Sequence, residues 1–214
     1  MYRALPLADE DELVARVVPP PATVLDLGSG PGRIANALVR RGYTVVAVDD
    51  SEEMLRHVQG AETVLGDVAS LRFGRRFDCV LLASHFVNAA DDDRRRAVLE
   101  TCSIHLASDG VLVAEAYPDS LDWDDAVGRT SRLGDVVVRV EEATRVGDLV
   151  EATVAYELGG RIWRQRFGAR MLDESDLRRE LSSVGLAFDS WVDRGRSWFT
   201  ARLEPSFAAS LPRP

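Results

Sequence analysis

A glycine-rich turn that leaves an apolar run is the first place where this chain can do chemistry. Val24 to Arg33 reads VLDLGSGPGR. Gly28, Gly30 and Gly32 strip the backbone of side chains, so a ligand can pass close to it. The helix that follows offers N–H groups and the positive end of its dipole. Asp26 stands two residues before the first glycine. A carboxylate there repels a pyrophosphate and attracts a cation. The glycine spacing is GxGxG, and Arg33 stands where the dinucleotide fingerprint GxGxxG has its third glycine. The residues therefore point to a ligand with positive charge and away from a dinucleotide.

Other chemistries are excluded by what the chain lacks. Cys79 and Cys102 fall in apolar runs and read as small core residues. There is no CxxC, no HExxH, and the three histidines are scattered, so no zinc site is expected. All 26 basic residues are arginines, which excludes lysine-based chemistry. The net charge of −9 argues against a nucleic-acid backbone as the main partner, because phosphates need a concentrated positive face. The single basic triplet, Arg94 to Arg96, follows Asp91 to Asp93 and reads as a solvated helix start. No apolar run reaches the roughly 18 residues of a membrane span, and the acidic N-terminal stretch lacks the order of a signal peptide. The expectation is a cytoplasmic protein.

The elements that hold the glycine turn follow from periodicity. A helix is expected from about Asp9 to Val17, stopped by the prolines at 19–21. Strands are expected at 23–27, 43–49, 62–67, 76–84 and 110–117, separated by helices after the glycine turn, at 51–60 and from about Asp92 to Ala107. Strand and helix in alternation mean a parallel sheet covered on both faces. After Tyr117 the pattern changes to three alternating runs, 135–145, 149–158 and 161–170, joined by short glycine turns. Opposed glutamates and arginines on these runs are expected to pair across strands. A helix at 173–185 and two strands around an Arg194–Gly195 turn complete the pattern, and the tail from Pro205 is expected to fray.

VLDLGSGPG, followed by VVAVDDSEEML and LGDV, resembles the S-adenosylmethionine-dependent methyltransferases of the class I, Rossmann-like type. The resemblance runs in order from about Thr23 to Tyr117. It implies an α/β fold with a doubly wound, mainly parallel seven-stranded sheet and an antiparallel β-meander lid inserted after the fifth strand. The implied division is a cofactor-binding core at 1–118, the insertion at 119–171, the completed core at 172–204 and a tail at 205–214. S-adenosylmethionine is the implied cofactor, with S-adenosylhomocysteine as product. Asp26 would lie near the methionine amino group, with Gly28, Ser29, Gly30 and Gly32 as the backbone cradle. Asp49 would accept the ribose hydroxyls, with Asp50 as the competing candidate. Met54 would cover the adenine or pack in its helix. Asp67 would accept from the adenine amino group or shape a turn, and Val68 N–H would reach a ring nitrogen. Ser84 completes the cofactor set.

For the acceptor the sequence is less explicit. Ligands of parallel sheets sit beyond the carboxyl ends of the strands. His85 is the histidine so placed, as a base for a hydroxyl or ammonium acceptor or as a loop residue packed on the cofactor. The Asn/Asp-Pro-Pro-aromatic motif of base methyltransferases is absent after this strand, and so is a paired-glutamate loop; Glu115 stands alone. The meander suits a lid over a small acceptor, such as an intermediate of secondary metabolism. Tyr117, Trp123, Trp163 and Arg170 are the candidate acceptor residues, with Tyr156 and Phe167 beside them. The competing reading makes the aromatics the lid's own core and pairs Arg170 and Arg139 with Glu141, Glu151 or Glu157. A lid of this kind is also compatible with a homodimer. The expected reaction is methyl transfer to an oxygen or nitrogen of a small molecule. The alternatives are an NAD(P)-dependent oxidoreductase and a non-catalytic binding module, and a lysine-free chain lacks the Tyr-x-x-x-Lys pair of the former.

Overall fold

The computed structural model describes residues 4–118 and 120–208. Along the chain come Glu10–Val17 (α1), Thr23–Leu27 (β1), Arg33–Arg40 (α2), Thr44–Asp49 (β2), Glu52–Leu55 (α3), Glu62–Leu65 (β3), Phe77–Leu82 (β4), Asp92–His105 (α4) and Leu106–Glu115 (β5). Then follow Trp123–Ala126 (α5), Thr130–Leu133 (β6), Val136–Val146 (β7), Leu149–Leu158 (β8) and Arg161–Arg170 (β9). Glu174–Ser182 (α6), Leu186–Trp191 (β10), Trp198–Leu203 (β11) and Pro205–Ala208 (α7) complete it.

Seven strands form one sheet in the order β10-β11-β5-β4-β1-β2-β3. The pairs among β1 to β5 are parallel, and β11 joins β5 antiparallel. The chain leaves β1 towards β2 and β3, then returns to β4 on the other side. That reversal opens a crevice at the carboxyl ends of β1 and β4, the position where open α/β sheets bind ligands. Both faces of the sheet are covered. Leu13 and Val14 of α1 and Ile34 and Leu38 of α2 pack on Val24, Val45, Leu81 and Val113. Val98, Leu99 and Cys102 of α4 and Leu177 and Leu181 of α6 pack on Leu25, Leu27, Val80, Leu82 and Phe199. This double cover is why β4 is apolar at nearly every position. Cys79 and Cys102 are buried free thiols, in clusters on opposite faces.

The second sheet, β6-β7-β8-β9, is antiparallel throughout and follows β5. Gly159 and Gly160 both have positive φ, 57° and 78°, as a two-residue turn matched to strand twist requires. The meander carries a short fourth strand, β6, that the sequence pattern did not reveal, because its residues are all exposed and lack an apolar alternation.

Two local expectations change. The expected tail begins with a helical turn, 205–208, whose Phe207 packs over Gly185 and against the core, while 209–214 lie outside the described residues. The arginine triplet is not simply solvated. Asp91 caps α4 by accepting the Arg94 N–H at 2.8 Å. The Arg95 side chain is 2% exposed and is held by Glu180 and Asp92 at 3.2 and 2.8 Å and by the Ala89 carbonyl at 2.7 Å. It pins α4 to α6, a role that depends on Glu180, 85 residues away in sequence. Finally, no helix among the described residues is long and apolar enough to cross a membrane.

Candidate active site

The glycine turn joins β1 to α2. Gly28, Gly30 and Gly32 have φ of 73°, 54° and 77°. These values lie in the left-handed region, where other residues pay about 1–2 kcal/mol each. Gly28 is needed twice over, since a methyl group there would overlap the Phe86 ring. The turn's own donors are mostly spent. The N–H groups of Gly28 and Ser29 both bond the Val48 carbonyl, at 2.9 and 2.8 Å, and the Gly32 N–H bonds Ser29. The cradle thus offers a bare surface more than a set of free donors, which corrects part of the expectation for Gly28 and Ser29.

Asp49 shows what holds the turn. One carboxylate oxygen accepts the Gly30 N–H at 2.8 Å and the other the Ser51 N–H at 3.0 Å. Two backbone bonds leave about half of its acceptor sites open. Asp50 is exposed and also lines the crevice beside Asp49, but it makes no such bond to the turn among the described residues. Met54 is half-buried on α3, behind the Ser51 cap.

Asp26 is 1% exposed. Its Oδ2 finds no hydrogen-bond partner among the described residues, and neither does the buried Ser29 Oγ. Burial pushes the Asp26 carboxyl up to about 7; the Arg33 guanidinium opposes the shift, Asp49 adds to it, and the Ala35 N–H opposes it. Arg33 extends to Glu10 of α1 and to the Pro6 carbonyl, so it ties the N-terminal segment to the turn and leaves the close packing to Gly32. A buried carboxylate oxygen and a buried hydroxyl, both unsatisfied beside a side-chain-free turn, fit an ammonium group passing over the turn.

Beside Gly28 of the turn lies a crevice of about 50 Å³ between Asp49, Asp50, Asp67, Val68, Phe86 and Arg94. Asp67 is engaged. It accepts the Ala69 N–H at 3.1 Å and takes the Arg94 guanidinium with both oxygens, at 3.1 and 3.3 Å. These bonds hold its carboxyl below the usual range. Val68 is 5% exposed. Phe86 forms the lip of the crevice, a contact that residue spacing gave no means of finding.

The exit of β4 is a second constellation. Ser84 and His85 are consecutive non-glycine residues with φ of 59° and 58°. Such residues are uncommon and cluster at functional sites. The Ser84 N–H donates to Glu115 Oε2 at 2.7 Å, and Glu115 Oε1 lies 3.7 Å from His85 Nε2. The His85 ring stacks on Tyr117 with centroids 3.9 Å apart. Burial pushes His85 down to about 4 and Glu115 up to about 7, so the imidazole is neutral near pH 7. Asn88, 1% exposed, accepts the Tyr117 N–H at 2.9 Å and donates to the Arg170 carbonyl at 2.8 Å. It fastens this turn both to the end of β5 and to the meander. The only hint of Glu115 in the sequence was one charge inside an apolar run. Asn88 gave none.

The lid residues divide. Tyr117, Trp123 and Phe167 meet edge-on or stacked, with centroids 5.3 to 6.5 Å apart, above Val150, Ala152 and Met171. Trp123 is 4% exposed and donates to the Met171 sulfur, so it is core between lid and sheet. Trp163 shares the face of Phe167 but lies farther along β9, beneath the Arg161 guanidinium. Arg170 is held by Asp148 and Asp92. Its expected pairing with Glu141, Glu151 or Glu157 is corrected as well: Arg164 takes Glu141 and Arg166 takes Glu151. Alternation sets Arg164, Arg166 and Arg170 on one face of β9 and Trp163 and Phe167 on the other.

Comparison with known proteins agrees with this geometry. Residues 24–110 match the family model of a methyltransferase domain. A cypemycin N-terminal methyltransferase from a Streptomyces species is 37% identical over 95 residues, covering 41% of this chain and 39% of that protein. The chain's match thus spans about two-fifths of the curated relative. The CcbJ methyltransferase from Streptomyces caelestis aligns with a TM-score of 0.74 at 20% identity, over 93% of this chain and 91% of that one. The S-adenosylmethionine-bound amino pentose methyltransferase CalS10 from Micromonospora echinaspora gives 0.66 at 23% identity, over 90% and 88%. At such identities the structural matches show a common fold.

Proposed function

We propose that this chain, whose residues 24–110 match the family model of a methyltransferase domain, is an S-adenosylmethionine-dependent methyltransferase that methylates an amine nitrogen of a small molecule. The observation that carries the cofactor assignment is the unsatisfied Asp26 Oδ2 beside the glycine turn. An ammonium group on the cofactor's amino-acid tail gives that oxygen its missing donor. Asp49 keeps the turn closed through Gly30 and has acceptor sites left for a diol. When bound, S-adenosylmethionine supplies an electrophilic methyl carbon on a sulfonium. The chain's contribution is to hold the acceptor in line with that carbon, an arrangement worth up to about 7–11 kcal/mol of the barrier.

Nitrogen is preferred to oxygen for two reasons. The crevice edge carries the buried Asp26 carboxyl and the partly buried Glu115 carboxyl, and its arginines, Arg33 and Arg94, are already paired with Glu10 and Asp67. Such a surface receives cations. The cypemycin relative is also named as an N-terminal methyltransferase. His85, neutral at physiological pH, would take the proton that an amine or ammonium must lose. Ser84, Tyr117 and Trp123 would shape the acceptor's surroundings, with Met54 and Val68 towards the adenine.

The test is calorimetric titration with S-adenosylhomocysteine beside NAD and NADP, then a panel of amines and hydroxyl compounds with S-adenosylmethionine. Micromolar binding of S-adenosylhomocysteine alone and turnover confined to amines is the expected result. Nicotinamide binding would sink the cofactor assignment, and turnover of hydroxyl compounds alone would move the acceptor to oxygen.

A further inference from the structure

Glu115 is the last residue of β5, beside the end of β4, and its carboxyl makes two separate contacts with one turn. One oxygen binds the backbone N–H of Ser84, and the other faces the His85 ring across 3.7 Å. Both turn residues hold left-handed backbone angles without being glycine. Such a conformation persists only where the surroundings over-determine it. The Glu115 bond to Ser84 and the Tyr117 stack on His85 are the contacts that do so.

We propose, resting on the methyl-transfer reading above, that Glu115 is the positioning residue of the acceptor centre, fixing the Ser84–His85 turn and balancing the charge His85 acquires when it takes the acceptor's proton. In the step, the acceptor lone pair forms the bond to the methyl carbon, and the carbon–sulfur pair returns to sulfur. The proton leaves the acceptor for the His85 ring nitrogen that Glu115 does not face. Glu115 keeps its charge and takes no proton, the role of the carboxylate that orients a histidine base. His85 then releases the proton to solvent.

The charged groups around the pair are few. Glu10 of α1, Arg33 of α2 and Asp193 of the β10–β11 turn face Glu115. Arg33 is paired with Glu10, and Asp193 accepts from Ser197 and Trp198. Among the described residues, two acids and one committed arginine leave His85 as the group facing Glu115 that can become a new cation as pH falls. Burial raises Glu115 to about 7, and the 3.7 Å contact with His85 Nε2 and the bond from the Ser84 N–H place both the ring and that amide where they sense its protonation.

Nuclear magnetic resonance of the protein alone tests this without an acceptor. The His85 ring, identified among three histidines by His85→Gln, and the Ser84 amide are followed from pH 5 to 9. The expected result is one common step near pH 7 in both signals, and its disappearance from both in Glu115→Gln. Steps at different pH, or a His85 curve unmoved in Glu115→Gln, would overturn the proposal. The common step is read on the unmodified chain, so a poorly folding variant leaves the question decidable. Failure of the methyltransferase reading would appear separately, in the S-adenosylhomocysteine titration.

Discussion

The carboxyl edge of the parallel sheet and the antiparallel lid use the same residue types to opposite ends. On the lid, Glu141, Glu151 and Asp148 each find an arginine at the surface, in pairs such as Arg164–Glu141 at 2.7 Å. At the sheet edge, Asp26 is buried with an oxygen unsatisfied, and Glu115 is held by a backbone N–H and a neutral ring. Exposed pairs are individually weak because water screens them. A buried, under-satisfied carboxyl costs stability, and that cost persists only where a ligand or reaction needs the charge. Charge that is settled marks scaffold here, and charge that is unsettled marks the site.

The strongest way to break the comparison is at the turn that both needs glycine and carries no side chain. Gly28→Val places a β-branched residue at φ 73° against Phe86. The expected loss is roughly 2–5 kcal/mol of stability by urea unfolding, from backbone strain and overpacking together, with S-adenosylhomocysteine binding weakened at least about 100-fold. A fully stable variant that still binds would mean the turn is not the cradle.

Asp26→Asn separates stability from function. The folded carboxyl is raised to about 7 against an ordinary value near 3.8. An acid raised in this direction keeps its proton in the folded state while the unfolded chain loses it. Stability thus falls as pH rises from about 4 to about 7, then levels off. The asparagine variant should lack that fall and, without ligand, be more stable at pH 8 by up to roughly 4 kcal/mol. Native S-adenosylhomocysteine affinity should weaken by about tenfold per pH unit below 7, as Asp26 takes up its proton. The variant should bind weakly at every pH. Titrations at pH 5.5 to 8.5 read both.

Arg95→Ala removes a buried cation from Glu180 and Asp92 and should cost about 2–4 kcal/mol by urea unfolding. Arg164→Ala is the matching change on the lid. Its pair with Glu141 is exposed, and both the unfolding midpoint and S-adenosylhomocysteine affinity should stay where they are. A large effect there would mean that the lid's charges are not settled after all.

Much of the parallel sheet was legible because its signals are local. A strand buried on both faces must be apolar, and a turn with three left-handed residues is written in glycine. Strand alternation marked Asp49 and Asp50 as alternatives, and the bond from the Gly30 N–H to Asp49 is a contact the sequence could not supply. What stayed hidden depends on contacts between residues far apart in sequence. Arg95 reads like its neighbours Arg94 and Arg96 until α6 brings Glu180 to it. Asn88 looks like a loop residue until β5 and β9 arrive at its amide. Arg170 could be taken for a ligand arginine until Asp148 and Asp92 are seen around it.

The sequence by itself determined the strand and helix order of the parallel sheet, the glycine turn and the three long strands of the meander, since period and turn chemistry act over a few residues. Tertiary structure decided which charges are spent and which remain. That choice rests on burial and on partners 27 to 85 residues away, as in Asp67 with Arg94, Ser84 with Glu115 and Arg95 with Glu180. No local pattern encodes the dielectric around a side chain or the neighbour that neutralises it.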